Sequence, residues 1–174
     1  MKRIDSAYII RREDVNQMIA KSDRRDKKVL IAILFLTGAR VSEALMLRKK
    51  DFRVREDKLL IRKPVLKRRE VYNHTVPISI NSPFVKSIIG YINELDDEED
   101  KLFNFKRTSA WIYIKKVSPD AYPHLFRHSK LTRLAEMGAT EYQIQTFAGM
   151  KDSRTPSNYV KTSGKLIEPL AEVV

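Results

Sequence analysis

An imidazole and a guanidinium stand three residues apart in His124-Leu125-Phe126-Arg127. On a helix that spacing points both side chains the same way, while Leu125 and Phe126 turn elsewhere. Such a pair suits a phosphate: arginine grips two oxygens in a fixed fork, and histidine donates or shuttles a proton. A helix N-terminus of mixed polarity is the plainer reading. His128 lacks the same relation to Arg127 and reads as a structural hydrogen-bonding residue. A second candidate is Thr37-Gly38-Ala39-Arg40-Val41-Ser42-Glu43, where an arginine follows the glycine that ends an apolar helix. Arg40 and Glu43 also share a helical face and can pair. Taken alone, they fit a neutralised surface arginine better than a site. The third is Ala148-Gly149-Met150-Lys151-Asp152 followed by Asn158-Tyr159-Val160. Tyr159 is one of seven tyrosines and stands out only through this context.

The elements that must position these residues follow from periodicity. Val15, Met18 and Ile19 have helical spacing within 13–21, and Lys27 to Thr37 is apolar nearly all round, which predicts a central helix. Asp23 is placed to cap it. Gly38 breaks it, and 41–47 reads as a short helix with Leu45 and Leu47 inward. Leu59-Leu60-Ile61 and Val76-Pro77-Ile78 read as antiparallel strands joined by a cationic hairpin, with Phe52 to Arg55 a third strand. Pro64 predicts that pairing stops there. Further helices are expected over 83–95, 108–116, 124–137, 141–148 and 154–161. Asp96 to Asp100 reads as a solvated acidic loop. The fold class is therefore α+β: mainly helical, with a small antiparallel sheet of two to three strands.

Composition narrows the partners. Among 174 residues, Lys and Arg exceed Asp and Glu by 34 to 22, a formal charge of +12. That excess points to a polyanion, either nucleic acid or an anionic membrane surface. No apolar run is long enough to span a bilayer and no signal pattern opens the chain, which weakens the membrane reading. Cysteine is absent, so disulfides, thiolate metal sites and a cysteine nucleophile are excluded. An intracellular setting is expected. Five glycines argue against a glycine-rich nucleotide cradle. No acidic cluster has metal-ligand spacing, so neither metal nor cofactor is expected.

TGARVSEAL, HLFRHSKLTRLAEMG, FAGMKDSRTPSNYV and the basic hairpin LKRREVYNHTVPI together resemble the catalytic domain of the tyrosine recombinases, the integrase family. Their order and gaps fit from about residue 10 to 162, and the texture is similar to archaeal and viral integrases. The resemblance implies that family's catalytic-domain fold and a DNA strand-transfer activity. Arg40 matches the first catalytic arginine and Glu43 its acidic support. His124 and Arg127 match the HxxR pair, and Tyr159 the nucleophile. The catalytic lysine belongs to the β-hairpin: Lys67 is the first choice and Lys63 the second. The family usually carries histidine or tryptophan where Met150 stands; methionine donates no hydrogen bond to a phosphate oxygen. Lys151 is a possible substitute donor.

In that chemistry the phenol of Tyr159 attacks a DNA phosphodiester, forms a 3′-phosphotyrosine and releases a 5′-hydroxyl. An unperturbed tyrosine has a pKa of ~10, so a phenolate at pH 7 costs ~4 kcal/mol. Arg40 and Arg127 would neutralise the transition state, the lysine would protonate the leaving oxygen, and His124 would assist proton transfer. Double-stranded DNA is the implied partner, with Arg62, Lys63, Arg68 and Arg69 expected near its backbone. Self-association on DNA is expected, with 163–174 as a tail that packs on its own domain or docks on a neighbour. The family's N-terminal core-binding domain has no counterpart in 1–174, which reads as a single catalytic domain cut from a longer protein. Two other readings use the same scaffold: a type IB topoisomerase-like nicking and closing enzyme, and a DNA-binding regulator with weakened catalysis.

Overall fold

The computed structural model describes residues 8–67 and 70–150. Tyr159, Lys151, Arg68, Arg69, the expected helix over 154–161 and the tail lie outside the described residues. Seven helices and three strands follow in the order α1 (Arg12–Ala20), α2 (Arg25–Thr37), α3 (Val41–Ala44), β1 (Phe52–Arg55), β2 (Lys58–Lys67), β3 (Glu70–Ser79), α4 (Val85–Ile92), α5 (Arg107–Val117), α6 (Pro123–Glu136) and α7 (Glu141–Ala148). The predicted mainly helical α+β architecture is observed. No helix among the described residues is long and apolar enough to cross a membrane.

Helix α2 is central because it is apolar all round: Val29 to Leu34 are all buried, with Leu36 and Thr37 beyond them. It packs against α1, α4 and α6. Its N-cap is Arg24 rather than Asp23, whose carboxylate instead takes Lys27 Nζ at 3.0 Å. A second, smaller cluster of Leu131, Ala135, Ile144 and Ala148 joins α6 to α7.

The sheet is antiparallel in the order β1-β2-β3. It departs from expectation at Pro64, which does not end the pairing: β2 runs on to Lys67, with Pro64 opposite Asn73 and Lys67 opposite Glu70. The reason is topological. β1 pairs β2 only as far as Ile61, so beyond it β2 has an open edge where a missing N–H breaks no ladder bond. Burial follows the strand period in β3 and most of β2: Leu59, Ile61, Lys63 and Val65 are buried and Arg62 is exposed, while Pro64 is buried out of turn.

The acidic loop also differs from a merely solvated run. Glu98 and Glu99 pair with Lys49, Lys50 and Arg48, and an isolated bridge links Arg48 to Lys101. Part of the acidic charge therefore neutralises one basic patch. Helix α4 is shorter than the expected 83–95.

Candidate active site

The turn after α2 brings the first candidates together. Gly38 sits at φ +59, and its N–H closes the helix on the Leu34 carbonyl at 3.0 Å. A side chain there would meet Lys130 at 3.3 Å, so glycine also permits the close approach of α6. The Gly38 carbonyl accepts from Arg127 Nη1 at 3.0 Å. Arg127, 2% exposed, thus reaches across from α6 to within two residues of Arg40.

Arg40 caps α3. Its backbone N–H donates to Glu43 Oε2 at 3.0 Å, and its Nη1 donates to Oε1 at 2.8 Å. Lys63 Nζ reaches the same carboxylate, 3.1 Å from Oε2. Glu43 is fully buried and Lys63 only 1% exposed. Burial alone would raise the Glu43 pKa, but the Lys63 and Arg40 charges outweigh it and hold the carboxyl below its ordinary value. Burial lowers the Lys63 pKa, against the attraction of Glu43 and with repulsion from Arg127 and Arg40. The inward strand position of Lys63 encloses it. Arg62 does face solvent, and pairs with Asp51 at 3.2 Å. Lys67 is the last residue of β2.

Helix α6 supplies the remaining pair. Pro123 occupies its first turn, and His124 stands exposed at the mouth of the site while Arg127 is enclosed below. Partial enclosure, then the Arg127 and Arg40 charges, push the His124 pKa below its ordinary value. Neutral imidazole is thereby favoured at pH 7. Arg40, Ser42 and His124 line a cavity of about 290 Å³, to which α5 adds a wall of Arg107 and Trp111 and the α6 N-cap adds Tyr122.

The α7 C-terminus is anchored to this cluster. Arg127 Nη2 donates to the Ala148 carbonyl at 3.3 Å. His74 Nε2 lies 3.0 Å from the Phe147 carbonyl, and the Tyr72 hydroxyl donates to that of Gly149. Gly149 has φ +63, and a Cβ there would sit 3.0 Å from Val65 and 3.1 Å from His74. Met150 packs beside the α6–α7 cluster, which gives an apolar side chain a place in the fold. Sequence reasoning missed Tyr72, His74, Arg107 and Trp111. The period-two pattern of β3 held a signal for the first two, since Tyr72 and His74 share a face with buried Val76 and Ile78. No comparable signal marked Arg107 and Trp111, which lie outside every motif.

The chain is similar to tyrosine recombinase XerA of Pyrococcus horikoshii, 26% identical over 173 residues that cover 92% of this chain and 59% of the relative. XerA of Saccharolobus solfataricus is 26% identical over 149 residues, covering 83% and 49%. The chain thus spans about half to three fifths of these curated relatives. Among solved structures, XerH site-specific recombinase in a post-cleavage complex with a palindromic difH substrate superposes with a TM-score of 0.72 at 18% identity, covering 95% of this chain and 52% of that one. The catalytic domain of bacteriophage HP1 integrase gives 0.66 at 19% identity, covering 94% and 93%. Residues 9–165 match the phage integrase family as a whole. The chain belongs to the phage integrase family.

Proposed function

We propose that this chain is the catalytic part of a site-specific DNA recombinase that cleaves and rejoins duplex DNA through Tyr159. The observation that carries the reading is the meeting of distant cations: Arg40 and Lys63 share the buried Glu43 carboxylate, and Arg127, held by the Gly38 carbonyl, lies near enough for its charge to act on both Lys63 and His124. Such a cluster suits a phosphoryl group, whose transition state gathers negative charge on its nonbridging oxygens.

In the proposed step the Tyr159 oxygen forms a bond to phosphorus and the bond from phosphorus to the 5′-oxygen breaks. His124, kept neutral by its surroundings, helps take the phenolic proton. Lys67, nearer the hairpin tip, gives a proton to the departing 5′-oxygen. Lys63 is enclosed and committed to Glu43, so it orients the carboxylate that fixes Arg40 rather than meeting DNA itself. Attack by a 5′-hydroxyl from a second duplex reverses the step and releases Tyr159. Met150 leaves one phosphate oxygen without a donor from its own side chain, and Lys151 supplies it. Arg62, Arg68 and Arg69 contact the backbone on either side, adding salt-dependent affinity. Self-association on DNA and an intracellular setting belong to the same reading.

The test uses duplexes selected for binding from a random pool and nicked near the junction, so that the cleaved strand is lost. A covalent protein–DNA adduct that disappears in Tyr159→Phe is expected. Absence of any adduct on the selected duplexes refutes the reading. Relaxation of supercoils without exchange between two sites favours the nicking and closing enzyme instead.

A further inference from the structure

The cavity beside Arg40 and His124 has a second wall that the proposed chemistry does not use. Arg107 and Trp111 stand four apart on α5 and so share a face. Trp111 is 49% exposed, unusual for the largest apolar side chain. Lys115, one turn further, holds its ammonium 5.9 Å from the Trp111 ring and 5.8 Å from that of Tyr122, and donates to the Pro119 carbonyl at 2.6 Å. The indole is thus braced by a cation while half of its surface stays open. No carboxylate lines the cavity among the described residues, and none pairs with Arg107 there.

We propose that this wall seats the nucleotide adjoining the scissile phosphate, with Trp111 against its deoxyribose and Arg107 on the next phosphate. The inference rests on the DNA-cleavage reading above. The ligand class follows from chemistry and continuity. An aromatic face accepts the apolar side of a deoxyribose, and guanidinium groups donate to phosphates. The cavity opens directly onto Arg40 and His124, so the strand held there is the one being cut. Packing on the sugar reads no base identity, so the seat positions the strand without choosing its sequence.

Trp111 is the single tryptophan of the chain, so its emission reports on the seat alone. Selected duplex is titrated into the Tyr159→Phe chain, and acrylamide quenching is measured free and at saturation. Shielding of Trp111 is expected, with a severalfold fall in the quenching constant. Trp111→Ala should weaken binding about tenfold, and Trp111→Phe should restore most of it. Arg107→Ala should lower the slope of log affinity against log salt by about one. An unchanged quenching constant at saturation, with both alanine variants binding like the parent, overturns the proposal. The two readings fail separately: a Tyr159-dependent adduct with an open Trp111 sinks only the seat. A shielded Trp111 without an adduct sinks only the cleavage chemistry.

Discussion

The inner and outer halves of the site are built on opposite terms. Glu43, Lys63 and Arg127 are buried, and each already has partners within the fold. His124, Arg107 and Trp111 are exposed on the rim of an open cavity. Inner charges must be satisfied within the fold itself, because an unpaired charge in the core is costly. The rim is open to solvent, and under the proposed function it exchanges water for DNA. Damage to the inner half should therefore register as lost stability, and damage to the rim as lost DNA handling.

The largest expected effect tests the inner half. Glu43→Ala leaves Lys63 charged and enclosed without its carboxylate, and should cost about 3–5 kcal/mol in urea unfolding. Adding Lys63→Met removes the stranded charge and should recover much of that loss. A double variant no more stable than Glu43→Ala would break the charge argument. The next effect separates the two lysines. Lys67→Met should slow cleavage about a hundredfold or more, as loss of a general acid does. A substrate with sulfur in place of the 5′-bridging oxygen needs no such acid and should restore the rate. Lys63→Met should gain nothing from sulfur; if it alone is rescued, the roles assigned to the lysines are reversed.

The smallest effect is the pH response. His74, His124 and His128 all have pKa values lowered by burial, His74 and His124 also by nearby positive charge. The unfolded chain then binds more protons as pH falls past ~6.5. Stability should be fully present above that value and decline below it, seen as a falling melting temperature. In NMR titrations, bound DNA should raise the His124 pKa, because a phosphate favours the imidazolium, and leave His74 in place. Equal movement of both would erase the distinction between rim and interior.

Much of this was legible beforehand. The apolar run of α2, the Gly38 break and the three-residue spacings of Arg40 with Glu43 and His124 with Arg127 express local periodicity, which sequence carries directly. Pro64 misled because its cost depends on whether a third strand lies alongside, a tertiary fact. The inward turn of Lys63 was available from strand parity, but charge alone suggested an outward position. Arg107 and Trp111 acquire meaning only when α5 is folded beside α3 and α6.

The fastening of α7 by Tyr72, His74 and Arg127 has a geometric consequence. Tyr159 lies ten residues beyond Gly149, so covalent geometry holds its Cα within ~36 Å of that fixed point. Tyr72 and His74 touch no phosphate in this scheme. They set the point from which that reach is measured, and with it which phosphates lie within range of the proposed nucleophile.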